Sequence, residues 1–398
     1  MTEGATSVRG SRALLAAPLI LAGLLAPSVA PARAPMDARA LTKIVTDLVQ
    51  KEDTATLTDN RAALESLFLP DAASAQAAYE KALQRLTYMA DWARARRIQF
   101  DGVTVHVRIG PIHWLSADEV RVHGADQARY GYHHLTGNGA KTWFGLGVYH
   151  WYLIKRVHDR WYIAGDNFID PLNQDTRLKG PAVPAVIQVK PEHRAVEPVS
   201  AGARRALTYA AQYCGAAPGC AHDNRYHPRY PDFNWNGGDC SNFISQVLFA
   251  GGFSETAQWS CSDGEGTPAW VNAIRLAQFL ERSGRATVYA AGTLPTLLEK
   301  DAQGETPLDH LRLGDLIAYY EEGRIVHFAI VAGFDPDGYP LVISHSADRY
   351  REPWDLGWDR TTRFLLFHVH YPPRGAMRNQ ARPARTTSSV TARRTAST

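Results

Sequence analysis

Cys240 is the residue in this chain best placed for chemistry. It follows Gly237, Gly238 and Asp239, and the run after it (Phe243, Val247, Leu248, then Gly251-Gly252) has helical apolar spacing and a glycine stop. The two glycines predict a turn, Asp239 is a candidate cap, and Cys240 falls at a helix N-terminus. There the macrodipole and free N–H groups favour the thiolate that attacks a carbonyl carbon. The bland alternative is an inert buried cysteine, and the helix-start position argues against it.

A thiol nucleophile needs a base that is distant in sequence and close in space. His327 lies inside the apolar strand pattern RIVHFAIVAGF, where an imidazole is costly unless paired. His345 ends the next strand pattern, YPLVISHSADR, and pairing of the two strands would let it orient His327 as the third member of a triad. Ser344 and Asp348 compete for that role. A Cys–His pair of this kind performs acyl transfer through a thioester, with no metal or cofactor required.

The elements that must hold these residues form a mixed α+β pattern. Helix-like spacing from Asp37 to Gln50 and from Ala75 to Ala93 is followed by period-two alternation at Val103, Val105 and Val107. Further strand patterns cover Glu119–Val122, Tyr149–Val157 and Arg160–Ala164, with a hairpin turn at His158-Asp159. This first segment, residues 37–177, loosely resembles the cone-shaped nuclear-transport-factor-like and cystatin-like domains. Its aromatics (Tyr130, Tyr132, Trp143, Phe144, Trp151, Trp161) read as sheet packing before a ligand pocket. Prolines 181, 184, 191 and 198 mark a linker over residues 178–202, and a helix from Ala203 to Tyr213 opens a second domain, residues 203–373. Hairpin turns are expected at Glu321-Glu322-Gly323 and Asp337-Gly338.

At the ends of the chain, Arg9 and Arg12 precede an apolar run from Ala13 to Leu25 and then Ala30-Pro31-Ala32. Residues 1–34 therefore read as a signal peptide, which predicts a secreted or envelope-associated protein with no stable membrane span. Residues 374–398 are basic and lack acidic residues, which predicts a disordered tail. A net charge of +3 over 398 residues is too small to mark a nucleic-acid binder. Of four cysteines, Cys214 and Cys220 flank a Pro-Gly turn and are the candidates for one bridge, which leaves Cys240 and Cys261 free.

The run YPDFNWNGGDCSNFISQVLFAGG, the helix pattern PAWVNAIRLAQFLE, then LRLGDLIAYY and VHFAIVAGF together resemble the bacterial putative amidase domain, a papain-like relative of the NlpC-like and CHAP cell-wall hydrolases. The resemblance covers Ala206 to Pro372. It implies a cysteine-bearing helix packed on an antiparallel sheet, with Cys240 and His327 as catalytic residues and His345 as the orienting one. It further implies an oxyanion site built from the Cys240 N–H with Asp239, Tyr230 or Tyr226, and a peptide or peptidoglycan substrate. Asn224, Asn242, Ser245 and Gln246 look typical of the family, and by residue type they are caps or packing groups. Two rival readings stay open: a noncatalytic envelope-binding protein and a transglutaminase-like acyl transferase.

Overall fold

The computed structural model describes residues 36–168, 187, 189–190, 199–222, 225–262 and 264–373, with the Trp235 side chain excepted. The expected signal peptide, the basic tail, most of the linker and Asn224 lie outside the described residues.

Asp37 caps α1 (Ala38–Leu57) by accepting the Ala40 N–H at 2.7 Å, and α1 buries Leu41, Val45, Leu48 and Val49 at helical spacing. A short α2 (Arg61–Glu65) and α3 (Ala73–Arg96) follow. They pack with β1 (Ile98–Ser116), β2 (Glu119–His134), β3 (Thr142–Val157) and β4 (Arg160–Phe168). His158 and Asp159 have φ of 47° and 64° between paired Val157 and Arg160, so this hairpin turns where the residues predict it. Beyond the linker come α4 (Ala201–Gln212), α5 (Cys240–Gly251), the small ribbon β5 (Cys261–Ser262) and β6 (Glu265–Gly266), α6 (Pro268–Val271) and α7 (Ala273–Arg282). The chain then forms β7 (Ala286–Thr293), α8 (Leu294–Leu297), β8 (Leu316–Glu321), β9 (Arg324–Phe334), β10 (Pro340–Ser344), β11 (Asp348–Pro353) and β12 (Arg363–Val369).

This is a mixed α+β architecture built on one large antiparallel sheet, in the order β1-β2-β3-β11-β10-β9-β8-β12-β7, with β4 also paired to β3. Two modules joined only by a linker were expected; the strands of both segments instead join edge to edge, with Asp348, Arg349 and Tyr350 paired to Gly147, Leu146 and Gly145. The reason is the length of β3. Its first half pairs with β11, and its second half pairs with β4. Buried polar links reinforce the seam. Arg96 Nε donates to Asp355 Oδ2 at 2.7 Å, Tyr88 donates to the Trp358 carbonyl at 2.9 Å, and His134 Nε2 meets Asp335 Oδ2 at 2.7 Å. One apolar cluster accordingly runs from Leu41 through Tyr132 to Tyr339 and Leu366. From Met36 onward the described residues fall in one compact unit.

A second cluster lies under α4, α5 and α7 and takes alternate residues of the sheet, among them Leu316, Ala318, Phe328, Ile330 and Phe367. Among the described residues no helix is long and apolar enough to cross a membrane.

Candidate functional site

Gly237 and Gly238 adopt φ of 96° and 115°, a turn that a Cβ would strain, and they deliver Cys240 as the first residue of α5. Asp239 occupies the cap position, yet its side chain makes no cap bond. Its carboxylate instead accepts the Phe233 N–H at 3.0 Å and Asn242 Nδ2 at 2.9 Å, and its other oxygen meets His345 Nδ1 at 2.6 Å. The expected cap is therefore an anchor.

Cys240 and His327 line one cavity of about 490 Å³, together with Tyr226, Asp232, Asn234, Ser346 and Asp348. Cys240 is a free thiol, whereas Cys214 and Cys220 are bridged, as their spacing predicts. Burial pushes the Cys240 thiol above its ordinary value, against the pull of Ser241 and the Phe328 backbone. Burial thus opposes the thiolate that the helix start favours. His327, buried in β9 beside the rings of Tyr319 at 5.3 Å and Trp358 at 5.7 Å, is held well below its ordinary pKa by burial, Arg349 and His345. Its Nε2 has no hydrogen-bond partner, and the sulfur's side-chain neighbour is Ser241 Oγ at 3.8 Å. Arg349, itself buried and ion-paired to Glu352 at 2.8 Å, adds to burial in disfavouring the charged imidazole.

His345 does not have the bonds expected of an orienting residue. Its Nδ1 goes to Asp239, and its Nε2 to the Tyr213 carbonyl at 2.7 Å. The ring is stacked between Tyr226 at 4.0 Å and Phe243 at 3.9 Å. With both nitrogens spent, it ties the helix start to α4 and makes no bond to His327. Burial opposes its charge, but the Asp239 bond with the charges of Asp239 and Asp348 more than offsets this and raises its pKa.

The oxyanion candidates separate. The Cys240 N–H donates to Ser346 Oγ at 3.1 Å, and the Asp239 N–H donates to the same oxygen, so Ser346 sits at the anion-binding start of α5. Tyr226 lines the cavity, but its hydroxyl is committed, donating to Asp348 Oδ1 at 2.6 Å and accepting from Asn234 Nδ2 at 2.8 Å. Tyr230 packs on Trp270 with centroids 5.8 Å apart and is not on the cavity wall. Asn242 and Ser245 are buried braces, bonded to Trp270 Nε1 at 2.8 Å and to the Trp270 carbonyl at 2.9 Å. Gln246 accepts from the Tyr209 hydroxyl at 2.7 Å.

Residue-type reasoning passes over Ser346 altogether, and it treats Trp151 as packing. Trp151 and Tyr149 of β3 form part of the cavity wall. The signal for them was strand alternation, which does not reveal what the exposed face covers.

Residues 201–368 match the family model of the putative amidase domain. The match supports an amidase domain, and with it a hydrolase, over the segment that carries Cys240, His327 and His345. A relative in Bacillus subtilis (strain 168), the uncharacterized protein YhbB, is 28% identical over 158 residues, which cover 37% of this chain and 46% of the relative. This chain thus aligns to less than half of that relative's length. Among solved structures, a scytalone dehydratase homologue from Novosphingobium aromaticivorans is 14% identical, covers 33% of this chain and 83% of its own, and has a TM-score of 0.22. An NTF-2 like protein of unknown function from Shewanella oneidensis is 16% identical, covers 33% and 99%, and has a TM-score of 0.20.

Proposed function

We propose that the protein is a cysteine amidase in which Cys240 attacks an amide carbonyl with His327 as its base. One observation carries this reading: an unbridged thiol at a helix start and an imidazole with an unpartnered Nε2 open on the same cavity, inside an amidase domain.

The resting pair is neutral, so the proton moves during attack. His327 takes the Sγ proton as the S–C bond forms and the carbonyl π electrons pass to oxygen. That oxyanion competes with Ser346 Oγ for the N–H groups of Cys240 and Asp239. Collapse breaks the C–N bond while the imidazolium protonates the leaving amine. Water, deprotonated by His327, then adds to the thioester, and the C–S bond breaks as the imidazolium returns its proton to sulfur, which restores the thiol. The N-terminal pattern and the Cys214–Cys220 bridge support export, and exported amide bonds of peptidoglycan peptides are the substrates this reading favours.

The test is mass spectrometry of muropeptides incubated with the full chain and with Cys240→Ala. Loss of a peptide or amine in the first sample alone supports the reading. Equal cleavage by both would overturn it.

A further inference from the structure

The cavity that holds Cys240 carries a distinct charge pattern. Besides the His327 imidazole, its ionisable side chains beyond Cys240 and the tyrosines are the carboxyls of Asp232 and Asp348, and its other aromatic ones are Tyr149, Trp151 and Tyr226. Two of these aromatics, Tyr149 and Trp151, come from β3, outside the segment that matches the amidase domain. They reach the nucleophile because β3 is hydrogen-bonded to β11 beside it, with Gly147 paired to Asp348. The close fit is visible at Gly147 itself: a Cβ there would meet the Ala216 backbone at 2.6 Å.

We propose that this acidic, aromatic wall is the specificity subsite of the amidase, and that it takes a substrate side chain bearing a protonated amine. The inference rests on the amidase reading of the same site. Asp348 has its oxygens held by the Tyr226 hydroxyl at 2.6 Å and the Ala216 N–H at 2.6 Å, so it sets the aromatic rings and the local field. Asp232 is exposed at the rim, with Oδ1 accepting the Asn234 N–H at 2.8 Å, so its carboxylate is the group that meets the ammonium. Aromatic faces and a carboxylate together favour a cation over a neutral group of equal size, and they repel an anionic one.

The experiment reads alkylation of Cys240 by iodoacetamide in the full chain, with protection by either of two blocked tripeptides, acetyl-Ala-Lys-Ala-amide or acetyl-Ala-norleucine-Ala-amide. The lysine peptide is expected to protect at about tenfold lower concentration, and Asp232→Asn should erase the difference, each variant's protection being read against its own unprotected alkylation rate. Trp151→Leu should reduce it in part and serves as the second variant. Equal protection by the two peptides, protection by neither, or an undiminished lysine preference in Asp232→Asn overturns the proposal. The amidase reading fails separately, through absence of amide turnover in a protein whose Cys240 is still selectively protected.

Discussion

His345 Nδ1 lies 2.6 Å from Asp239 Oδ2, so the second histidine of the site is bound to the residue that precedes the nucleophile and not to His327. The same imidazole reaches the Tyr213 carbonyl, next to the bridged Cys214. It therefore fixes where α5 begins. His345→Ala should leave Asp239 buried without that partner and cost about 3 kcal/mol of stability, the usual scale for breaking a buried pair. Urea denaturation measures this. A variant as stable as the parent but with a displaced pH–rate profile would instead assign His345 to orienting His327.

Cys240→Ala should reduce amide turnover roughly 10³-fold or more with little change in the unfolding midpoint. His327→Ala should be comparably damaging, and the double variant little worse than either, because members of one catalytic unit are not additive. Steady-state kinetics of the three variants checks this, and multiplicative losses would show that the two act separately.

The depressed pKa of His327 places its neutral, base-competent form well into the acid range, so the acid limb of kcat/KM should have its midpoint below the ordinary histidine value of 6.5. Cys240 is shifted the other way, so its alkylation rate should keep rising above pH 9.0. A thiol that is fully reactive at neutral pH would indicate a preformed thiolate–imidazolium pair.

Residues 36–198 should not be removable. Deletion would bare the β11 edge and strip Asp355 of Arg96, leaving a charge buried without its partner. The truncated chain is expected to be insoluble or to lack a cooperative unfolding transition by circular dichroism. A well-folded product would mean that the shared sheet is dispensable.

Under α1 and α3, Glu52 is raised to about 8 by burial and by the charges of Asp166 and Asp53. Burial disfavours a charged His150, but Asp166 and Asp126 outweigh it and raise that group to about 9. Both groups favour the protonated form in the fold. Their stabilisation is complete below the unfolded values of 4.5 and 6.5 and is lost as pH climbs through about 8 and about 9. Tm should therefore fall between about pH 4.5 and 9, and Glu52→Gln should flatten the part of that decline below about pH 8. A Tm that is flat across this range would show that the cluster is not protonated in the fold.

Local chemistry was legible in the sequence because it is written in neighbouring residues. Gly237-Gly238 before Cys240, the glycine stop after Val247 and Leu248, the His158-Asp159 turn and the Cys214/Cys220 pair each depend on backbone sterics or short-range closure, and each is found where the residues place it. Which distant groups meet depends on strand order and on which face each strand presents, and no local pattern encodes either. Only the tertiary structure sends Asp239 to His345 instead of its own helix, seats Ser346 on the Cys240 N–H, leaves Tyr230 off the cavity wall, and brings Tyr149 and Trp151 to the nucleophile. The sign of the Cys240 shift is decided there as well. A helix start favours the thiolate, burial opposes it, and the degree of burial belongs to the packed fold and not to the motif.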